Sequence, residues 1–406
     1  MNKSSKSWNK YRHSIKFLAQ GSSTLSKAPQ FENIEPAQIA YGKGCRVWDL
    51  DGNEYIDYRN GLGPVTLGYC VPEINDAIIE QLNKGIVFGH PHSIEGEAAE
   101  MLTEVIPCAE RVCFLKTGGE AIAACIKIAR AATGRSKIVQ CGYNGWLNNL
   151  SAPKGNIPAG IANSQPNKGV PSQISSLHRS LRWADYEEWD EVFSQDGENI
   201  AAVVISSNYL EMEKGKEFFH FIRHLTEKYG TLMIIDEIVT GFRLALGGAH
   251  EYFDFMPDMA VFAKGFANGM PVSAYLGKGN LIDLTKKLGI SSTFAGETLS
   301  LAAIKAVISF YKKNNVIEHL WKHGDMLWTQ VNKIFEKYKI SASAKGYNVC
   351  PQMAFDNICK KNEFFKNCYL NGVSLYDVSY VNFSHKDKDI NETLQKIEKA
   401  AEIISG

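Results

Sequence analysis

Five short, almost entirely apolar runs recur along the chain, and stretches of helix length separate them. The runs are ERVCFLKT, SKIVQCG, NIAAVVISS, TLMIIDEI and DMAVFAKG. Strands that are apolar on both faces are typical of a parallel sheet that helices cover on both sides. We therefore expect an α/β fold with a mostly parallel sheet, because parallel strands need long crossover connections.

Charge and hydropathy exclude several classes of function. The 406 residues include 44 basic and 44 acidic side chains, so no net field favours nucleic acid or an anionic membrane. The longest apolar runs, such as AAVVI, are far shorter than the ~20 residues that span a bilayer. The first acid is Glu32, and no apolar signal-peptide core precedes it; a surface helix or an organellar leader would explain this segment.

The nine cysteines are scattered, without C-x-x-C pairs. In a long chain without a signal peptide, this pattern indicates reduced thiols and neither a disulfide framework nor a metal site. We therefore expect a cytoplasmic protein.

The sequence divides into three regions. Residues 1–72 include alternating runs that flank the turn signal DGN, which predicts a β-meander. Residues 73–310 hold the apolar strands and are expected to form a large domain, and residues 311–406 are expected to form a smaller α+β lobe. The span 143–180 is rich in Gly, Asn, Pro and Ser, and so long a loop is usually functional.

Residues that follow each strand are the candidates for a site, because ligands of open α/β sheets bind beyond the carboxyl ends of the strands. Thr117, Gly118 and Gly119 open a helix, where backbone N–H groups bind phosphate; a plain strand-to-helix turn would explain them too. Tyr143 and Trp146 follow the next strand and could stack on a flat ligand or simply pack.

Two charged residues follow later strands. Asp236 ends an apolar run, where a carboxylate needs a cation or serves as a helix cap. Lys264 follows the next run, where an apolar site would make it a nucleophilic amine, although a lysine that reaches the surface would not be one. A phosphate-binding helix start, an aromatic ring, a carboxylate and an amine are together the groups that bind pyridoxal 5'-phosphate.

The stretch IIDEIVTGFR, followed by FAKGFANGMPVSAYLGK, resembles the class III aminotransferases of fold type I. The resemblance runs from about Gly21 to the last helix and is greatest to the glutamate-1-semialdehyde 2,1-aminomutases of that family. The segment TGGEAIAACIKIARAATGRSKIV resembles the phosphate-binding helix, and GNIPAGIANSQPNKGVP resembles the mobile active-site loop. The resemblance implies a PLP-dependent transferase fold with a smaller lobe built from both termini.

The resemblance also implies roles for individual residues. Lys264 would hold the cofactor as a Schiff base and transfer a proton, and Asp236 would pair with the pyridine nitrogen. The other cofactor-binding positions surround the ring and the phosphate: Thr117, Gly118, Gly119, Tyr143, Asn144, Val239 and Thr293. Of these, Val239 and Tyr143 would lie on the two ring faces, and Thr293 would reach the phosphate across a homodimer interface.

Several positions depart from the family. At the cofactor site, the usual Ser or Thr, His and Glu-Pro are replaced by Gly119, Asn144 and Ser206–Ser207. At the substrate site, Lys27, Leu62 and Asp377 stand where the aminomutases have arginine, tryptophan and glutamate. Lysine lacks the bidentate fork of arginine, so we expect intact cofactor chemistry and an altered substrate pocket.

The expected function is transfer of an amino group from a small donor to a small aldehyde or ketone, with phosphorylated and sugar-like acceptors among the candidates. The alternative is the aminomutase reaction, which moves the amino group within one substrate; the active-site loop favours it, and Lys27, Leu62 and Asn144 count against it. A non-catalytic nucleotide-binding module is disfavoured, because no G-x-G-x-x-G follows the first strand. We expect a homodimer that binds neither nucleic acid nor membrane.

Overall fold

The computed structural model describes residues 5–147 and 168–405. The described strands are β1 (Ile39–Lys43), β2 (Arg46–Asp49), β3 (Glu54–Asp57), β4 (Arg111–Leu115), β5 (Lys137–Cys141), β6 (His178–Ser180), β7 (Ile200–Ser206), β8 (Leu232–Asp236), β9 (Met259–Phe262), β10 (Ser273–Gly277), β11 (Ala342–Lys345), β12 (Gln352–Phe355) and β13 (Val373–Ser374). The described helices are α1 (Ser5–Ser14), α2 (Pro72–Leu82), α3 (Ser93–Val105), α4 (Gly118–Thr133), α5 (Ser172–Ser175), α6 (Tyr186–Asp196), α7 (Gly215–Tyr229), α8 (Ala249–Tyr252), α9 (Gly279–Ile282), α10 (Leu284–Lys287), α11 (Thr298–Lys313), α12 (Val316–Lys337), α13 (Ile358–Leu370) and α14 (Asp387–Ser405).

The described residues form two compact units, and the larger one comprises residues 73–147 and 168–317. Its sheet has seven strands in the order β4-β10-β9-β8-β7-β5-β6. Parallel pairing runs from β6 through β5, β7 and β8 to β9, whereas β10 lies antiparallel between β9 and β4. The predicted α/β fold with a mostly parallel sheet is confirmed.

Burial explains why these strands form the centre of the larger unit. All residues of β9 and the first six of β7 are buried, as the continuous apolar runs require. Helix α4 adds an apolar stripe that includes Ile122, Cys125 and Ala129, and this stripe joins the strands in one core. The packing holds the carboxyl ends of β5, β7, β8 and β9 along one edge of the sheet.

The smaller unit contains the described residues up to Pro72 and from Glu318 on. Strands β1, β2 and β3 form an antiparallel meander, and β13 pairs with β3 in parallel, with Val373 opposite Ile56. Strands β11 and β12 form a separate antiparallel pair. The three regions expected from the sequence remain a prediction. Within the described ranges, no helix is both long and apolar enough to cross a membrane.

Candidate active site

Strands β8 and β9 place Asp236 and Lys264 at neighbouring positions on the carboxyl edge of the sheet. Asp236 is the last residue of β8 and pairs in register with Val261 of β9, and Lys264 lies two residues beyond the end of β9. Thr117 follows β4, and Tyr143 and Asn144 follow β5 in the same unit. The four strand ends selected from the sequence therefore belong to one sheet.

Asp236 is a buried carboxylate with two hydrogen-bond donors. Its Oδ1 accepts from the backbone N–H of Ile238 at 3.0 Å, and its Oδ2 accepts from Asn144 Nδ2 at 3.3 Å. Burial raises the pKa of Asp236 to about 6, although both hydrogen bonds and the charge of Lys264 oppose that rise. A nearby cation would therefore stabilise the charged form of this buried carboxylate.

Lys264 begins a short 3-10 turn, Lys264–Ala267, with a backbone φ of 54°. Left-handed backbone is uncommon for a residue with a side chain and clusters at functional sites. Burial lowers the pKa of Lys264 to about 8, the positive charge of Arg243 adds to this, and Asp236 opposes it. The amine is therefore deprotonated far more readily than that of an ordinary lysine.

The start of α4 is the predicted phosphate-binding turn, in which two glycines follow the N-cap residue. Thr117 is the N-cap; its Oγ1 accepts from the N–H of Glu120, and Glu120 Oε2 accepts from the N–H of Thr117 at 2.7 Å. A Cβ added to Gly118 would overlap Ile238 Cδ1, whereas one added to Gly119 would lie 3.6 Å from Leu147 Cδ1. Gly118 therefore allows Ile238 to approach the helix start.

The loop after β5 contributes one buried amide and one open aromatic ring. Asn144 is 1% exposed, and its Oδ1 has no hydrogen-bond partner within the described part of the chain. Tyr143 is 47% exposed, and burial followed by the charge of Asp236 raises the pKa of its phenol. Trp146 is 77% exposed. A flat ligand bound at this edge could stack on the Tyr143 ring and donate a hydrogen bond to Asn144 Oδ1.

The roles of two predicted cofactor residues, Val239 and Thr293, remain predictions. Val239 is partly buried and Thr293 is exposed. Across residues 5–147 and 168–405, no hydrogen bond connects either residue with Asp236 or Lys264. Most of the predicted active-site loop, GNIPAGIANSQPNKGVP, lies outside the described residues.

Comparison with known proteins identifies the family. The model of the class-III aminotransferases matches residues 28–401. The chain belongs to the class-III aminotransferase family. The predicted family is confirmed, and with it the expectation of an enzyme.

Several relatives of this class-III aminotransferase are similar over their whole length. The glutamate-1-semialdehyde 2,1-aminomutase of Persephonella marina is 32% identical, and the match covers 98% of each chain. The FumI protein of Sphingopyxis sp. MTA144, solved in its PLP form, has a TM-score of 0.87 at 22% identity, with 98% of this chain and 96% of that chain covered. An omega-transaminase from Sphaerobacter thermophilus has a TM-score of 0.86 at 21% identity, with 98% of each chain covered.

The three predicted substrate residues belong to the smaller unit of the aminotransferase. Lys27 is exposed at the end of a 3-10 turn, Leu25–Lys27. Leu62 is partly buried, with a φ of 75°. Asp377 forms an ion pair with Lys361, whose Nζ lies 2.6 Å from Asp377 Oδ1. The carboxylate of Asp377 is thus already neutralised by a partner that the sequence did not reveal.

Ile238 and Glu237 are residues of this site that sequence reasoning missed. Ile238 both donates its N–H to Asp236 and lies against Gly118. Glu237 is fully buried, and its carboxylate accepts from the N–H groups of Ala249 and His250 and pairs with the His250 ring at 3.0 Å. Both follow Asp236 directly in DEIVTGFR, so their position in the motif was the available signal.

Proposed function

We propose that this class-III aminotransferase moves an amino group from a small-molecule donor to a small aldehyde or ketone, with Lys264 and Asp236 as its catalytic residues. One observation carries the proposal: an amine and a carboxylate lie at neighbouring strand ends, and burial moves the pKa of each towards neutrality. Such opposed shifts are typical of catalytic pairs. The cofactor is pyridoxal 5'-phosphate.

The described residues fit this cofactor. Asp236 is a buried acid that suits a protonated ring nitrogen, and Tyr143 offers an aromatic face near it. Gly118 makes room for Ile238, and Gly119 brings no side chain to the start of α4, which suits a phosphate bound by backbone N–H groups. We propose Thr117, Gly118 and Gly119 for the phosphate. Asn144, Val239 and Ile238 would surround the ring.

When bound, the cofactor withdraws electrons from the substrate carbon and carries the amino group between donor and acceptor. Lys264 Nζ, with its pKa lowered to about 8, holds or releases a proton at that carbon near neutral pH. Asp236 keeps the ring nitrogen charged, and Asn144 and the Ile238 N–H orient the carboxylate for this role.

The aminomutase reaction is the second candidate, because the Persephonella marina relative carries that name at 32% identity. Lys27, Leu62 and Asn144 differ from the aminomutase pattern, and Asp377 is engaged by Lys361. A lysine at position 27 binds phosphate or carboxylate as a point charge and not as a fork. These differences favour intermolecular transfer.

We also propose a cytoplasmic homodimer in which Thr293 reaches the phosphate bound by the partner subunit. Exposed apolar side chains support the dimer: Ile86, Val87 and Phe88 in one segment, and Phe294 next to Thr293. Thr298 ties the first segment to α11, because its N–H donates to Ile86 O at 3.0 Å and its Oγ1 to Gly85 O at 2.8 Å. The nine free cysteines suit a reducing compartment.

Borohydride reduction of the holoenzyme, followed by peptide mass spectrometry, tests the proposal. We expect the cofactor mass on the peptide that contains Lys264, its loss in Lys264→Ala, and its retention in the control Lys278→Ala, which removes another lysine of the same unit. Cofactor fixed elsewhere would overturn the assignment. Conversion of glutamate-1-semialdehyde without an added donor would identify a mutase, and a requirement for a donor would identify a transferase.

A further inference from the structure

Arg59 of the smaller unit joins several distant segments through one guanidinium group. Its Nη2 donates to Ser26 O at 2.9 Å, and its Nη1 donates to Tyr369 Oη at 3.3 Å. Its Cζ lies 4.8 Å from the ring centre of Tyr376, and its Nη1 lies 3.7 Å from the carboxylate of Glu35. The side chain is 20% exposed.

Two of the four partners of Arg59, Ser26 and Tyr376, are chain neighbours of predicted substrate residues. Ser26 immediately precedes Lys27, and Tyr376 immediately precedes Asp377. Leu62 lies three residues after Arg59, and its backbone N–H donates to Arg59 O at 2.8 Å. The arginine is thus connected to each of the three segments that carry a predicted substrate residue.

A guanidinium group is suited to this position. Its planar fork donates in several fixed directions and stacks flat on an aromatic ring, whereas an ammonium group is a point charge without this planar geometry. Tyr369 extends the network, because its Oη donates to Leu375 O at 3.0 Å and so fixes the chain just before Tyr376. Glu35 is only 3% exposed and needs a nearby cation.

We propose that Arg59 is a positioning residue for substrate specificity. It fixes the relative positions of the three segments that carry Lys27, Leu62 and Asp377. This inference rests on the proposed aminotransferase function. Arg59 acts through the backbone at Ser26 and the ring of Tyr376, so its loss displaces the Lys27 ammonium. The effect falls on substrates with an anionic end, such as a carboxylate or a phosphate, and spares amines that carry no anionic group.

Two variants and one matched control test the proposal. Arg59→Gln removes the fork, and Arg59→Lys keeps the charge. Arg46→Gln is the control, because Arg46 is a 21% exposed arginine of the same unit whose ion pairs go to Glu54, Asp389 and Glu392 and to none of the partners of Arg59. Hydrogen exchange of the cofactor-free chains should rise at least tenfold over residues 24–28 in Arg59→Gln, with no change there in Arg46→Gln.

Single-turnover kinetics of the holoenzymes provide the second readout. With L-glutamate, Arg59→Gln should raise the half-saturating concentration at least tenfold, Arg59→Lys should fall between it and the wild type, and the limiting rate should change less than threefold. With n-butylamine, no variant should differ from the wild type by more than twofold.

The outcomes separate the two proposals. Unchanged exchange over residues 24–28 in Arg59→Gln overturns the positioning role, as does an equal loss with L-glutamate in Arg46→Gln. If the wild-type holoenzyme reacts with no amine, the proposed function fails, and the exchange measurement alone still decides the role of Arg59.

Discussion

Asn144 donates a hydrogen bond from Nδ2 to Asp236 Oδ2 at 3.3 Å, so a neutral amide contacts the acid at the centre of the candidate site. The amide carries no charge, and Asp236 therefore responds to pH through its burial, its two hydrogen bonds and its charged neighbours.

The stability that Asp236 contributes to the cofactor-free chain should fall as pH rises from 4.5 to 7. The folded-state pKa of Asp236, about 6, lies above the ordinary value of 3.8, so the folded chain binds the extra proton in this window. Linkage assigns about 2 kcal/mol of the unfolding free energy to this group over that range. Urea unfolding of the wild type and Asp236→Asn should differ by this pH-dependent amount. Parallel pH profiles would contradict the prediction.

Replacing Asn144 with alanine should raise the pKa of Asp236 further, because the Asn144 hydrogen bond lowers it. The decline in the Asp236 contribution to stability should then extend to higher pH than in the wild type. The same unfolding series measures this shift. Asn208→Ala is the control, since Asn208 follows the neighbouring strand β7 and donates to Glu211 instead; its profile should match that of the wild type.

Lys264 should react with trace acetic anhydride, in the cofactor-free chain, with a midpoint near pH 8. Burial lowers its pKa from 10.5 to about 8, so its neutral amine accumulates between pH 7 and 9, where ordinary lysines stay protonated. Peptide mass spectrometry gives the labelling rate against pH for each lysine. A midpoint above pH 10 for Lys264 would show that the site does not suppress its charge.

Gly118→Ala should weaken binding of pyridoxal phosphate at least tenfold, which is about 1.4 kcal/mol. The new Cβ would overlap Ile238 Cδ1, and Ile238 would have to move. Gly119→Ser is the matched comparison, because its Cβ would lie 3.6 Å from Leu147 and its hydroxyl restores the donor usual in the family. Its affinity should equal or exceed that of the wild type. Absorbance titrations measure the affinity of both variants for pyridoxal phosphate. Equal losses of affinity in the two variants would contradict the proposed phosphate site.

Phe88→Glu should convert the proposed homodimer to monomers and weaken binding of pyridoxal phosphate. Phe88 is 46% exposed within the apolar segment Ile86–Phe88, and a buried charge there would oppose association. Analytical ultracentrifugation measures the change. Phe17→Glu serves as the control, because Phe17 is 81% exposed outside that segment. A wild-type chain that is monomeric with its cofactor bound would refute the dimer.

The sequence predicted the sheet and the residues at its carboxyl edge, because continuous apolar strands and the polar residues after them follow from local pattern. It identified Asp236 and Lys264 but not the contact of Ile238 with Gly118, which depends on how one side chain packs against a helix start. Arg59 also went unnoticed. Its partner Tyr369 is 310 positions away, and no periodicity connects them.

The charges of Asp236 and Lys264 each oppose the pKa shift that burial causes in the other group, since a negative charge favours a positive charge beside it. The newly made chain therefore does not leave an isolated charge at the end of either strand while it waits for its cofactor. The proposed site would thus be charge-compensated before the cofactor binds, and each group would then be available for an atom of the cofactor.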